Sequence, residues 1–120
     1  MLLDSNLVIY AALPEHGELR RFIYESDPSV SAITYVEVLG YHSLTDRQRR
    51  SFEDFFVKSP ILPLDDDVLE RATQLRQKKR IRLGDSLIAG TALQYALTLA
   101  THNTDDFQWI EDLKVLDPLR

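Results

Sequence analysis

Residues 81–90 read I-R-L-G-D-S-L-I-A-G, an apolar segment with one carboxylate, Asp85, directly after a glycine. The apolar pattern continues to Ala96 on nearly all sides of the predicted helix, which indicates the most buried helix of the chain. Asp85 at its start can act as an N-cap, because a helix start favours a side chain that accepts from its unpaired amides. The rest of the chain decides whether Asp85 has only that structural role.

Short apolar segments alternate with predicted helices along the rest of the chain. Two stretches, T-Y-V-E (34–37) and T-D-R-Q (45–48), match the capping-box pattern of a helix start. The predicted strands cover residues 1–3, 30–34, 60–64, 97–101 and 113–116, and the predicted helices cover 18–25 and 66–79 and begin at Thr34, Thr45 and Asp85. The predicted helix over residues 66–79 is expected to turn Val68, Leu69, Ala72 and Leu75 inward. The fold class is therefore α/β, one domain over residues 1–120 with a mostly parallel central sheet of four to five strands flanked by helices.

The composition excludes several classes of protein. With no cysteine and three scattered histidines, the chain has no disulfides, no thiolate metal site and no spacing suited to zinc. No apolar run is long enough to span a bilayer, and the M-L-L-D start lacks the basic region of a signal peptide. We therefore expect a cytoplasmic protein with no membrane partner.

The charge is unevenly spread. A net charge of −5 argues against a protein that coats nucleic acid with basic surface. Basic stretches at 47–50 (R-Q-R-R) and 76–82 (R-Q-K-K-R-I-R) nevertheless accompany acidic residues at 65–67, 85 and 105–106. Basic patches beside acidic clusters suit a metal-dependent enzyme that acts on a polyanion, although they also occur on solvated helix faces.

Four acidic positions are predicted to meet at one edge of the sheet. Asp4 ends the first strand, Glu37 lies in the first turn of the helix after the second strand, and Asp85 opens the helix before the fourth. The segment T-H-N-T-D-D-F (101–107) follows the fourth strand. Ligands of open parallel sheets bind beyond the carboxyl ends of the strands, where these residues would converge.

Each acid also has a structural interpretation. Asp4 could form an Asx turn, Glu37 could complete the capping box of Thr34, and the pair 105–106 could be a solvated turn. These separate roles give no reason for all the acids to share one edge. A cluster of carboxylates remains ionised mainly with a cation present, and oxygen-only ligands suit Mg²⁺ or Mn²⁺. Such a site activates water against a phosphodiester, and Ser5, Asn6, Thr101 and Asn103 could orient ligands or water there.

Several motifs in this order resemble those of one known family: L-L-D-S-N-L-V-I-Y (2–10), S-A-I-T-Y-V-E-V-L-G (31–40), L-G-D-S-L-I-A-G-T-A (83–92) and L-A-T-H-N-T-D-D-F (99–107). Together with the final L-K-V-L-D-P, they resemble the PIN-domain family and, within it, the VapC-type ribonuclease toxins of type II toxin–antitoxin pairs. The resemblance covers essentially the whole chain.

The resemblance implies a metal-dependent endoribonuclease with Mg²⁺, or alternatively Mn²⁺, as cofactor, an RNA substrate, a cognate antitoxin and a homodimer. Asp4, Glu37 and Asp85 match the family's first three catalytic, metal-binding acids. Many relatives carry an Asp two residues after the conserved Thr, where this chain has Asn103. We take Asp106 as the fourth acid. The neutral amide of Asn103 weakens the case for a second metal.

Two alternatives stay open. A phosphatase of the haloacid-dehalogenase type also begins with a strand that ends in Asp, but it needs a second Asp where this chain has Asn6. A non-catalytic PIN-like binding module would keep the fold and recruit a partner. The aromatic residues of segment 35–56, including Tyr35, Tyr41, Phe52 and Phe56, are predicted to supply the dimer and antitoxin surface.

Overall fold

The computed structural model describes residues 1–120, which form five short strands and six α-helices. The strands are β1 (Leu2–Leu3), β2 (Val30–Ser31), β3 (Ile61–Leu62), β4 (Leu99–Ala100) and β5 (Val115–Leu116). The helices are α1 (Ser5–Ala11), α2 (Gly17–Ser26), α3 (Ala32–Leu39), α4 (Asp46–Lys58), α5 (Asp66–Lys78) and α6 (Leu83–Gln94). A short 3-10 helix over Thr104–Asp106 follows β4. No helix has the length and hydrophobicity that crossing a bilayer requires.

The strands are parallel, with β1 in the middle of their order. β1 pairs with β4 and β4 with β5, while β2 pairs with β3. A parallel bridge between Leu2 and Ser29 joins the two groups, so that the order is β3-β2-β1-β4-β5. The chain leaves β1 on one side and returns to β4 on the other, which opens a crevice at their carboxyl ends. The predicted α/β fold class is confirmed.

Helices cover both faces of the sheet, because neighbouring strand residues point to opposite sides. Leu2 and Leu99 pack into one core with residues of α5 and α6, whereas Leu3 and Ala100 pack into a second core with residues of α1 to α4. Phe52 and Phe56 belong to that second core and are only 6% and 5% exposed. The expectation that they supply an interaction surface is therefore wrong, because the apolar stripe of α4 faces the sheet.

α6 is the buried helix that the opening segment predicts. Every residue from Ser86 to Ala92 is buried. Gly90 allows close packing on α5, since a Cβ there would lie 3.0 Å from the Val68 carbonyl oxygen and 3.2 Å from the Ala72 nitrogen. Leu69, predicted to face inward, is 44% exposed because it lies at the edge of the stripe that Val68 and Ala72 form.

Two helix starts differ from the prediction. α3 is capped by Ser31, whose hydroxyl accepts from the Ile33 amide, so Thr34 and Glu37 do not form a capping box. α6 begins after Arg82, which places Asp85 inside the first turn and not at the N-cap. The capping box of Thr45 and Gln48 at the start of α4 is confirmed.

Candidate active site

Asp4 and Thr101 meet in the crevice between β1 and β4. Asp4 precedes α1 but makes no side-chain capping hydrogen bond. Its Oδ2 accepts a hydrogen bond of 2.7 Å from Thr101 Oγ1, and both residues are buried. Burial raises the pKa of the Asp4 carboxyl above its usual value, against the opposing effect of the Thr101 hydrogen bond, and the charges of Glu37 and Asp106 raise it further. The carboxylate therefore faces other acids and is not used to cap the helix.

Glu37 reaches the crevice from α3, one turn further along the helix than predicted. Ser5 Oγ donates to Glu37 Oε1 at 2.7 Å and also lies 2.9 Å from Thr34 Oγ1. Thr34 and Glu37 share one face of α3, because residues three apart on a helix are neighbours. The T-x-x-E pattern thus serves to bind Ser5, which follows Asp4 directly.

Asp85 enters the crevice from the first turn of α6 and is partly buried. Burial raises the pKa of its carboxyl to about 6, with further increases from the charges of Asp4, Asp106 and Glu37 and a decrease from Arg82. A carboxylate that served only to complement the helix start would have no reason to face three other acids.

Asp106 is the member of the 105–106 pair that acts on the cluster, since its charge raises the pKa of both Asp4 and Asp85. It ends the 3-10 helix after β4, where Phe107 is buried and the Trp109 indole donates to the Asp106 carbonyl at 3.0 Å. The backbone N–H of Asn103 donates to Thr101 Oγ1 at 3.0 Å. Of the four supporting residues, Ser5 and Thr101 hold acids, whereas the side chains of Asn6 and Asn103 make no hydrogen bond to an acid.

The charges of the neighbouring acids raise the pKa of Asp4 and Asp85, yet the four acids do not form a ready-made ligand set. No group of three or more His, Asp or Glu side chains is arranged so that it could hold a metal ion as it stands. The donor chemistry fits a hard cation, because every candidate ligand is a carboxylate oxygen and the mutual repulsion calls for positive charge. Binding an ion would require the side chains to move towards one another.

Three arginines border the acids. Arg76, Arg80 and Arg82 line a cavity of about 430 Å³ together with Asp85 and Asp106. None of the three forms a salt bridge, although two acids share the cavity. The other basic stretch lies exposed on α4, where Arg49 pairs with Asp46. Only the 76–82 stretch is therefore positioned to bind an anion beside the acids.

Comparison with known proteins gives the family. The PIN domain family model matches residues 1–113. This chain belongs to the PIN-domain family. Toxin FitB of Neisseria gonorrhoeae is 31% identical to it over an alignment of 137 residues that covers 98% of this chain and 97% of FitB.

Solved structures agree with this PIN fold. A toxin–antitoxin complex from Klebsiella pneumoniae matches with a TM-score of 0.78 and 28% identity, covering 98% of this chain and 96% of that one. DNA-bound VapBC from Salmonella typhimurium has the same fold at 21% identity, with a TM-score of 0.86 over 98% of this chain and 96% of that one. The predicted resemblance to the PIN domain and VapC-type toxins is confirmed, and it replaces the haloacid-dehalogenase alternative.

Two features of this PIN domain are not evident from the sequence. Arg76 lines the same cavity as Arg80 and Arg82 because the chain turns back after α5. Its place in the basic stretch 76–82 is the only sequence signal of this proximity. Gly84 lies against the Glu37 carboxylate, a contact between residues far apart along the chain that no local pattern indicates.

Proposed function

We propose that this PIN domain, over residues 1–120, is a metal-dependent endoribonuclease that hydrolyses phosphodiester bonds in RNA. We further propose that it is the toxin of a type II toxin–antitoxin pair. The observation that carries the proposal is the meeting of Asp4, Glu37, Asp85 and Asp106 in one crevice. Three arginines without salt-bridge partners beside the acids support a polyanionic substrate.

The four acids are the proposed ligands of Mg²⁺, or of Mn²⁺. When bound, such an ion supplies positive charge that activates water and stabilises the phosphate under attack. The chain's own contribution is to hold the acids. The Thr101 hydroxyl fixes Asp4 through Oδ2, and the Ser5 hydroxyl fixes Glu37 through Oε1.

The arginines have a separate role in this proposal, which is to bind the RNA backbone. Four carboxylates repel a phosphate, so a substrate needs positive charge close to the acids as well as between them. Arg76, Arg80 and Arg82 meet that need in the cavity that Asp85 and Asp106 share. Their planar guanidinium groups can each make two parallel hydrogen bonds to a phosphate.

The proposed partners are a cognate antitoxin and a second copy of the chain. The relatives that support the antitoxin are the FitB toxin and the Klebsiella toxin–antitoxin complex. Exposed apolar side chains on and after α3 and α4 support an interaction surface there, with Tyr35 at 44%, Val36 at 62%, Tyr41 at 57% and Val57 at 85% exposure. RNA and such an antitoxin both fit the cytoplasmic location that the sequence predicts.

RNA cleavage by the purified protein, in Mg²⁺ and in EDTA, tests the nuclease. We expect cleavage in Mg²⁺ that EDTA abolishes, and its loss in Asp4→Asn. No cleavage by the folded wild type would favour the non-catalytic binding module, and full activity in EDTA would contradict the metal. Co-expression with the neighbouring reading frame tests the antitoxin, since a stable complex should co-purify and suppress cleavage.

A further inference from the structure

Gly84, the residue before Asp85, has no conformational reason to be glycine. It lies in the first turn of α6, and no glycine of the chain has a positive φ. An alanine could therefore adopt the same backbone, and alanine is the more favourable residue in a helix. The reason for the glycine must lie in what surrounds it.

The surroundings of Gly84 are the carboxylate of Glu37. A Cβ at position 84 would lie 2.6 Å from Glu37 Oε2, closer than real Cβ contacts come, and 3.2 Å from Glu37 Cδ, which is tighter than most of them. On its other oxygen, Glu37 accepts the 2.7 Å hydrogen bond from Ser5 Oγ. The carboxylate is thus held between a hydroxyl on one side and the bare backbone of Gly84 on the other.

We propose that Gly84 is a positioning residue, whose missing side chain leaves the slot through which Glu37 reaches the other acids. The inference rests on the proposed function, because it concerns the metal-binding geometry of that same site. A methyl group at 84 would not break the helix, since the clashing atom belongs to the flexible end of a side chain. It would instead displace the Glu37 carboxylate from Ser5 and from the cluster.

Gly84→Ala tests this by comparing stability with metal response. The readouts are the melting temperature without metal, its rise on titration with Mn²⁺, and RNA cleavage. We expect a melting temperature without metal equal to or above that of the wild type, at least tenfold weaker Mn²⁺ affinity and a matching loss of cleavage. Gly17→Ala is the matched control, because it also lies in the first turn of a helix and its nearest contact, at 3.4 Å, is the end of Arg20.

A second variant separates the slot from a general effect on α6. Glu37→Asp shortens the side chain and withdraws it from position 84, so Gly84→Ala should have little further effect on Mn²⁺ affinity in that background. Such non-additivity is the signature of two residues in contact. Additive losses, a wild-type Mn²⁺ response in Gly84→Ala, or failure of Gly84→Ala to fold would each overturn the inference. A wild type that shows no metal response would instead refute the proposed function, and the inference with it.

Discussion

Replacing Asp85 by Asn separates a metal ligand from a residue that only supports the helix. Its pKa is raised from 3.8 to about 6, a difference that corresponds to about 3 kcal/mol at most of destabilisation by the ionised form at pH 7. Solvent around the partly buried side chain reduces this to about 1–2 kcal/mol. Asn also loses the favourable interaction of an anion with the helix start, about 0.3–1 kcal/mol. The net gain is about 1 kcal/mol, which raises the melting temperature by roughly 3–6 °C.

Mg²⁺ should reverse this difference, so that the wild type melts at a higher temperature than Asp85→Asn. The wild type gains about 1.4 kcal/mol at a Mg²⁺ concentration ten times Kd, whereas Asp85→Asn should gain far less and should cut RNA poorly. Thermal melting with and without Mg²⁺, paired with an RNA cleavage assay, measures both effects. Asp105→Asn is the control, since Asp105 is exposed and does not contribute to the raised pKa of Asp4 or Asp85. A folded Asp85→Asn protein that melts below the wild type and still cuts RNA at a wild-type rate would refute the reasoning.

Three other measurements follow from the structure. Without metal, stability should rise as the pH falls from 7 towards 5, because Asp85 takes up a proton at a higher pH in the folded state than in the unfolded state. Asp85→Asn should flatten this part of the plot of melting temperature against pH. An unchanged plot would contradict the raised pKa of Asp85. Replacing Arg80 and Arg82 with Ala should weaken RNA binding and reduce the salt slope by about 1.4, at about 0.7 per phosphate contact, in a binding titration at several salt concentrations; an unchanged slope would reject the contact. Val57→Arg should shift a dimer towards monomer in light scattering. Tyr24→Arg should not, although Tyr24 on α2 is as exposed as Val57. A wild type that is already monomeric would contradict the homodimer.

The alternation of strands and helices, the buried α6 and the meeting of the acids could be predicted, because each follows from local pattern and from the geometry of parallel sheets. α1 was not predicted, since L-V-I-Y-A-A-L (7–13) has neither helical nor strand periodicity and only packing on the sheet decides its form. All five strands are only two residues long, and after β1 and β2 a helix begins within two residues of the end of the strand.

Helix starts and long-range contacts depended on information that the local sequence lacks. Ser31 and Thr34 are both acceptable caps. Ser31 is the N-cap of α3 because β2 ends at that residue and the helix begins directly after it. The local pattern does not distinguish Asp105 from Asp106, and only the resemblance to the PIN-domain family selects Asp106, which precedes the buried Phe107. The contact of Gly84 with Glu37 joins two helices and exists only in the folded chain.

The most direct test of the metal site is an anomalous difference map from crystals of the wild-type protein soaked in Mn²⁺. We expect a peak in the crevice between β1 and β4, within ligand distance of carboxylate oxygens that include those of Asp4 and Asp85. A crevice without such a peak, in crystals of a preparation that cleaves RNA, would contradict the claim that these acids hold the metal.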